Sequence, residues 1–235
     1  MKFDFTVVIP TLNEAETIAK MILRVDEILK KENLNGQILV VDDNSTDNTL
    51  FIVNDIRLTH PNVNILIRRS NHGLSHSLID GFDEAGKNSD IFIKIDADGQ
   101  HPAEKIPELY RKIKQGNDIV IGSRYIEGGG IKNWSFLRRV ISWGATIMAR
   151  LFFPQITDPV SGFFAFRKDV VHNAPLKPKG YKILLEILGK GNWKTIAEIP
   201  FIFGPREKGK SKLKQQTIIE YLEQLLDLLK FRIKH

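Results

Sequence analysis

The first 125 residues alternate short apolar runs with amphipathic helical patterns, and this alternation constrains the fold more than any other feature. We predict strands at Phe5–Ile9, Ile38–Val41, Val63–Ile67, Ile91–Ile95 and Ile119–Ile121. Helices are predicted between them, at Glu14–Lys31, Asp47–Arg57, Leu74–Ala85 and Ala103–Lys114. Strands that alternate with helices in this way form a doubly wound, mostly parallel α/β sheet flanked by helices. Such sheets bind their ligands at the carboxyl ends of the strands.

Polar and acidic residues follow three of the predicted strands at that edge, in the runs 10–14, 42–45 and 96–100. The last run has the sequence DADGQ and comes directly after an apolar strand. Carboxylate and amide oxygens are the ligands that hard divalent cations prefer. We therefore predict a Mg²⁺ or Mn²⁺ site formed by Asp96, Asp98 and Gln100, with positions left for the oxygens of a diphosphate. A turn with solvated aspartates would show the same short pattern.

The composition is that of a soluble globular protein, with 42% hydrophobic and 26% charged residues. The chain has no cysteine, which excludes a disulfide framework and a thiol nucleophile. Its formal charge of +6 favours acidic partners, which include nucleotides, phospholipid head groups and nucleic acid. No run reaches the roughly 20 apolar residues that span a bilayer, and the N-terminus does not resemble a signal peptide.

The second half of the chain has two amphipathic helical patterns. The first, Trp134–Phe153, has a basic start and bulky apolar residues, which suit either a membrane interface or a buried helix. The second has its apolar residues at positions 218–229 and predicts an amphipathic helix near the C-terminus. Two further strands are predicted, at Phe163–Phe166 and Ile196–Phe203.

Four motifs resemble the family 2 glycosyltransferases of the GT-A fold: VIPTLNE at 8–14, VVDDNSTD at 40–47, DADGQHP at 96–102 and GSRY at 122–125. Within that family the chain is most similar to the polyprenol- and dolichol-phosphate mannose synthases. The motifs that carry this closer resemblance are NW at 133–134, Arg138 with Ser142, DPVSGFF at 158–164, and the glycine- and lysine-rich run 204–213. The resemblance extends from about residue 5 to residue 229. One departure is Leu12, where many relatives carry an aromatic residue.

The resemblance implies a nucleotide pocket in which Leu12 and Val41 cover the rings, and whose members are Pro10, Leu12, Glu14, Val41 and Asp43. It implies that Asp96, Ala97, Asp98 and Gln100 lie against the ribose, metal and diphosphate. Additional positive charge for the donor would come from Arg124, Arg206 and Lys212. The catalytic residues it implies are Asp98, Arg124, Arg138 and Ser142, of which the last three would hold the acceptor phosphate.

The implied activity is transfer of mannose from GDP-mannose to polyprenyl (dolichyl) phosphate, a step of protein glycosylation. A phosphate monoester has a second pKa near 6, so this nucleophile needs no strong base, and we expect inverting single displacement. One alternative is a polyprenyl-phosphate glucose synthase that uses UDP-glucose. Another is a family 2 transferase with a sugar acceptor, for which Asp158 is the candidate base. A nucleic-acid-binding module and a nucleotide-sugar binder without turnover also remain open.

We expect one GT-A domain over residues 1–235, with a nucleotide-sugar-binding half at 1–125 and an acceptor- and membrane-facing half at 126–235. The expected partners are a nucleotide-sugar donor, the lipid phosphate, a membrane surface and a membrane-anchoring subunit, and no nucleic acid. The expected location is the cytoplasmic face of a membrane, as a peripheral protein or as a soluble domain trimmed from a membrane-anchored chain.

Overall fold

The computed structural model describes residues 2–177, 181–205 and 215–234. Its strands are β1 (Phe5–Thr11), β2 (Gly36–Asp42), β3 (Val63–Ile67), β4 (Ile91–Lys94), β5 (Ile119–Ser123), β6 (Gly130–Ile131), β7 (Phe164–Arg167), β8 (Ile196–Pro200) and β9 (Ile202–Phe203). Its helices are α1 (Ile18–Lys31), α2 (Thr49–Arg57), α3 (Leu74–Ala85), α4 (Ile106–Lys114), α5 (Phe136–Arg150), α6 (Lys168–Val171), α7 (Ile183–Lys190) and α8 (Gln215–Lys234). A 3₁₀ turn, Ala103–Lys105, precedes α4.

The central feature is a seven-stranded sheet with the strand order β3-β2-β1-β4-β7-β5-β8. Its neighbouring strands are parallel except for β7, which runs antiparallel to both β4 and β5. The predicted doubly wound, mostly parallel α/β sheet is therefore confirmed. A second sheet pairs the short strands β6 and β9. Because β7 and β8 follow residue 125 in the chain, both halves of the sequence contribute to the central sheet.

The sheet is buried on both faces. Successive side chains along each strand point to opposite sides, so each strand contributes apolar residues to both faces. Along β1, Val7 and Ile9 belong to one hydrophobic cluster, whereas Val8 belongs to the other. Helices α1 and α4 contribute to the first cluster, and α3, α7 and α8 contribute to the second. The apolar residues of α1 recur at helical spacing, and the helix buries Ile18, Met21, Ile22, Val25 and Leu29.

The predicted strands of the first half are confirmed to within two residues at each end. The first predicted helix is shorter than expected, because α1 begins at Ile18 rather than at Glu14. Glu14 N donates to Thr49 Oγ1 at 2.9 Å, and Ala15 N donates to Asp47 Oδ2 at 3.1 Å. These bonds hold residues 14–17 as a turn against the loop after β2.

The strand predicted at Ile196–Phe203 is wrong as a single element. The run divides into β8, which pairs with β5, and β9, which pairs with β6. The change occurs at Phe201, whose N donates to Ser123 O at 3.1 Å. One short stretch of chain, which includes Glu198 and Pro200, therefore serves two sheets.

The helix predicted at Trp134–Phe153 is also shorter, since α5 begins at Phe136. Ser135 caps this helix, because its Oγ accepts a hydrogen bond from Arg138 N at 3.4 Å. Helices α6 and α7 were not predicted. Over the described part of the chain, no helix has both the length and the apolarity needed to cross a membrane.

Helix α3 approaches the sheet closely at Gly81, where a Cβ would lie 2.7 Å from Val41 Cγ2 and 3.1 Å from Val8 Cγ1. We expect Gly81→Ala to lower the free energy of unfolding by about 1–3 kcal/mol, because the added methyl overpacks this contact. Gly144→Ala in α5 is the matched control, since nothing lies within 4 Å of its Cβ position. The control should raise the free energy of unfolding by about 0.5–1 kcal/mol through helix propensity. Urea denaturation measures both, and a stabilising Gly81→Ala would contradict the close packing.

Candidate active site

Strands β1 and β4 lie side by side, although β2 and β3 come between them in the chain. The winding of the chain therefore reverses direction at this pair, and sheets of this kind bind ligands beyond the carboxyl ends of such strands. Ile95 N donates to Val8 O at 3.2 Å, which fixes the end of β4 against β1. Residues 96–100, the DADGQ loop, begin at this point and lie beside the loop that follows β1.

Asp96 leaves β4 with its carboxylate already paired, because Lys94 Nζ donates to Asp96 Oδ1. Lys94 is 3% exposed and lies two residues earlier, on the same side of the strand. Burial by itself would raise the pKa of Asp96, but the Lys94 ammonium outweighs this effect and the pKa is lowered. Asp96 is thus an ionised carboxylate with an internal counterion.

His101 fixes the backbone of the DADGQ loop. Its Nδ1 accepts a hydrogen bond from Asp96 N at 3.3 Å, and its ring stacks on Phe163 with 5.4 Å between centroids. Burial lowers the pKa of His101 to about 3, against the opposing influence of the Asp96 carboxylate. The ring is therefore neutral at pH 7, which agrees with its role as a hydrogen-bond acceptor.

Asp98 and Gln100 complete the loop and connect it to the second half of the chain. Gln100 N donates to Asp98 Oδ1 at 3.1 Å, and Gln100 Nε2 donates to Gly204 O at 3.0 Å. Gly204 N donates in return to Gln100 O at 2.9 Å. This double contact ties the DADGQ loop to the residues directly after β9. Because Nε2 is the atom that donates to Gly204, Oε1 is the acceptor atom of the Gln100 side chain.

The side chains of the loop fit a hard divalent cation. Asp96 and Asp98 offer carboxylate oxygens and Gln100 offers an amide oxygen, which is the donor set that Mg²⁺ and Mn²⁺ prefer. Residues 2–177, 181–205 and 215–234 contain no cluster of three or more acidic, histidine or cysteine side chains that would form a closed metal site. Mg²⁺ is commonly held by one or two carboxylates together with substrate phosphates. The loop therefore suits a cation that is shared with a bound diphosphate.

The predicted nucleotide residues differ in accessibility. Leu12 is 37% exposed and Glu14 is half-buried, whereas Pro10 is buried within β1. Val41 is 0% exposed, because strand β2 points its side chain into the core, where it packs beneath α3 against Gly81. Its assignment to the nucleotide pocket stays a prediction.

Asp43 is held by a buried polar cluster. Arg68 Nη1 donates to Asp43 Oδ1, Gly73 N donates to Oδ2 at 2.7 Å, and His72 Nδ1 lies 3.1 Å from Oδ1. Burial would raise the pKa of Asp43, but these contacts lower it. Arg68 Nε also donates to Asp80 Oδ2 at 2.7 Å. Arg68 was not singled out in the sequence analysis. The signal was its position directly after β3, since the acidic runs also stand directly after their strands.

Arg124 forms a buried ion pair with Asp158, and they are 7% and 0% exposed. Arg124 Nε and Nη2 each donate to an Asp158 oxygen at 2.8 Å. Glu198 on β8 fixes the backbone at Asp158, because its oxygens accept hydrogen bonds from Thr157 N at 2.8 Å and from Asp158 N at 3.0 Å. Burial favours a lower pKa for Arg124, but Asp158 reverses this and raises it. Arg124 is therefore a fixed positive charge.

The same geometry argues against Asp158 as a catalytic base. A base for a sugar hydroxyl must come within hydrogen-bond reach of its substrate. Both oxygens of Asp158 are engaged by Arg124, and the side chain has no exposed surface. The alternative with a sugar acceptor therefore loses its candidate base.

A cavity of about 330 Å³ lies next to Arg124. Its lining combines positive charge with apolar surface and consists of Arg124, Tyr125, Ile131, Arg139, Val140 and Trp143. Arg139 Nη2 donates to Ile131 O at 3.2 Å, which places this guanidinium at the wall of the cavity.

Arg138 and Ser142 lie one helical turn apart on α5. Ser142 Oγ is 3.3 Å from the Tyr125 hydroxyl, and Arg138 Cζ is 4.1 Å from the centroid of the Trp134 ring. Arg124 Cζ is 5.1 Å from the Tyr125 ring and 5.9 Å from the Trp134 ring. The structure therefore gathers the three predicted acceptor residues around Tyr125 and Trp134.

Two buried lysines beside this region were not predicted. Lys182 Nζ donates to Val160 O at 2.8 Å, and burial, with the neighbouring Arg124 adding to it, lowers the pKa of Lys182 to about 7. Lys94 is the single charged residue in an otherwise apolar strand, which is a signal that the sequence offered.

Ala97 is buried in the core. Arg206 and Lys212 lie outside the described residues, so their role stays a prediction.

The sheet order, with the DADGQ loop at the reversal of winding, is that of the GT-A fold. Residues 6–174 match the sequence profile described as Glycosyl transferase family 2, and the chain belongs to that family.

Relatives in this family are similar over nearly the whole chain. A dolichol-phosphate mannosyltransferase of Pyrococcus furiosus is 47% identical over 96% of this chain, which spans 64% of that relative's length. A dolichol-phosphate mannosyltransferase of Saccharomyces cerevisiae is 36% identical over 99% of this chain and 89% of its own. A solved structure with a similar fold is glucosyl-3-phosphoglycerate synthase of Mycobacterium tuberculosis in complex with Mn²⁺, UDP and glucosyl-3-phosphoglycerate. It has a TM-score of 0.70, 20% identity, and coverage of 96% of this chain and 80% of its own.

The Arg124–Asp158 pair yields a test of stability. Asp158→Asn leaves a buried guanidinium without its counterion, so we expect it to lower the free energy of unfolding by about 3–5 kcal/mol. Glu104→Gln is the control, because the Arg24–Glu104 pair is exposed and should contribute less than about 1 kcal/mol. Urea unfolding of both variants provides the comparison. A fully stable Asp158→Asn that loses only turnover would instead restore Asp158 as a base.

Proposed function

We propose that this chain transfers mannose from GDP-mannose to the phosphate of a polyprenol or dolichol, by inverting single displacement. Relatives named dolichol-phosphate mannosyltransferase support the sugar and the lipid acceptor. In this assignment residues 1–125 bind the nucleotide-sugar, and residues 126–235 bind the acceptor and face the membrane.

The observation that carries the proposal is the mixed lining of the cavity beside Arg124. Arg124 and Arg139 supply positive charge, whereas Ile131, Val140 and Trp143 supply apolar surface. A lipid phosphate has the same two parts, an anionic head and an apolar chain. A sugar acceptor would instead need several polar groups that pair its hydroxyls.

The acceptor side needs no general base. A phosphate monoester is largely dianionic at neutral pH, because its second pKa is near 6. The guanidinium groups of Arg124 and Arg138 hold this phosphate, and Ser142 adds a hydroxyl donor. The phosphate oxygen then attacks the anomeric carbon as the bond to the diphosphate breaks, with catalysis by alignment and charge neutralisation.

The donor side rests on the loops at the reversal of winding. Glu14 and Leu12 are placed for the nucleoside, and Asp96 for the ribose. A divalent cation held by Asp98, Asp96 and Gln100 would neutralise charge on the departing diphosphate, as Mn²⁺ and Mg²⁺ are found with UDP in the M. tuberculosis synthase. Arg206 and Lys212 are assigned to the same diphosphate.

The acceptor also implies contact with a membrane. Helix α5 exposes Phe136, Leu137 and Trp143, which are 83%, 68% and 59% exposed. Helix α8 exposes a further apolar row, Ile219, Leu222, Leu226, Leu229 and Ile233. The two helices are joined because the Tyr221 hydroxyl donates to Ala145 O at 2.5 Å. We propose that this apolar surface lies in the bilayer interface.

Transfer of radiolabel to a short polyprenyl phosphate tests the reaction. We expect label from GDP-mannose and not from UDP-glucose, and we expect Mg²⁺ or Mn²⁺ to support the reaction and EDTA to abolish it. Labelling from UDP-glucose alone would replace mannose with glucose. Slow hydrolysis of the donor without labelling of the lipid would overturn the proposal that a polyprenyl phosphate is the acceptor.

The acceptor residues are tested by Arg138→Ala. Loss of a charge-assisted contact to phosphate should lower kcat/KM for the lipid phosphate about 10–100-fold. Arg150→Ala, at the other end of α5, is the matched control and should stay within about twofold. Equal losses in both variants would mean that the general charge of the helix, rather than Arg138, binds the acceptor.

Membrane contact is tested by vesicle flotation of the double variant Phe136→Ser, Leu137→Ser. We expect its vesicle-bound fraction to fall several-fold, because each exposed apolar side chain contributes about 1.5–3 kcal/mol when buried. The matched control is Phe51→Ser, Leu58→Ser, which removes exposed apolar residues from α2 and from the position directly after it. An equal fall of the vesicle-bound fraction in the control would mean that any exposed apolar residue of the protein promotes vesicle binding, and not the surface of α5 in particular.

A further inference from the structure

The indole N–H of Trp134 is a buried hydrogen-bond donor that finds no acceptor among the described residues. A buried donor without a partner costs about 1–3 kcal/mol relative to a satisfied one. Such groups are few in folded proteins and call for a physical explanation. By comparison, the indole N–H of Trp193 donates to Leu188 O at 3.0 Å.

The surroundings of Trp134 are positively charged. Arg138 Cζ lies 4.1 Å from the centroid of the indole ring, and Arg124 Cζ lies 5.9 Å from it. Both are cation–π distances, so two guanidinium groups lie close to this ring. The unpartnered N–H is thus a further donor at a place where positive charge already converges. The group that completes this arrangement is an anion with hydrogen-bond acceptors.

Trp134 also lies between the acceptor residues and the DADGQ loop. Its ring packs on Phe203 with 5.2 Å between centroids, and Phe203 packs on His101 at 5.3 Å. Phe203 directly precedes Gly204, which is bonded to Gln100. Through Phe203 the tryptophan is therefore connected to the DADGQ loop, and through Arg124 and Arg138 to the residues assigned to the acceptor.

We propose that the Trp134 indole N–H donates a hydrogen bond to a phosphate oxygen of the bound substrates, and so acts as a phosphate-binding residue beside Arg124 and Arg138. The inference rests on the proposed function for its choice of ligand. The phosphate belongs either to the lipid acceptor or to the diphosphate of the donor, and the experiment separates the two sources.

The test follows the indole signals by ¹H–¹⁵N NMR. The chain has 3 tryptophans, so three indole signals are expected, and the variant Trp134→Phe identifies one by its loss. Farnesyl phosphate, GDP with Mg²⁺ and inorganic phosphate are added separately. We expect the Trp134 indole proton to move downfield with farnesyl phosphate or with GDP, which names the source, while the signal of Trp193 stays in place. A Trp134 signal that none of the three probes moves overturns the proposal.

Kinetics supply a second measure. Trp134→Phe keeps an aromatic face for Arg138 but removes the donor, so KM for the phosphate identified by NMR should rise about 10-fold, the effect of one hydrogen bond to a charged group. Trp193→Phe is the control and should leave KM unchanged. An unchanged KM in Trp134→Phe would contradict the assignment. Because the NMR shift does not require turnover, absence of transfer in the wild type would refute the proposed function without deciding the role of Trp134.

Discussion

The parallel pairing of β1 with β4 is the constraint on which the site depends. It brings the loop after β1 next to the DADGQ loop, although two strands, β2 and β3, come between these loops in the chain. The pairing is secured by apolar side chains on both faces of the sheet, so the loops rest on a rigid edge. Polar side chains at that edge are then available to a ligand without contributing to the core.

Two sets of hydrogen bonds extend this rigidity into the second half of the chain. Gln100 and Gly204 join the DADGQ loop to the end of β9. Glu198 on β8 fixes the backbone at Asp158, and Asp158 in turn holds Arg124. The groups assigned to donor and acceptor thus share one framework, which suits a reaction whose rate depends on alignment.

Much of the fold follows from local patterns, whereas the pairings of the site do not. The apolar run before Asp96 and the spacing of α1 fixed their own elements, because a strand or helix shows its period in the sequence. The role of Val41 does not follow from the sequence, because a strand buried on both faces does not show which side chains reach a ligand. Arg124 and Asp158 are 34 residues apart, and only tertiary structure reveals that they form an ion pair. The change of sheet at Phe201 is equally non-local, since it depends on which strands lie beside β8 and β9.

The buried partner of Asp96 gives the site an uneven response to ionic strength. At physiological salt, dissolved ions largely screen the interaction between exposed charges that are more than about 8 Å apart. They weaken the interaction within a buried pair much less. Lys94 is 3% exposed, so its contact with Asp96 persists in concentrated salt, and so does the Arg124–Asp158 pair. Arg139 is exposed on the cavity wall, so the same salt screens its charge. Added salt therefore weakens the attraction of this wall for anions, while the buried ion pairs beside it stay intact.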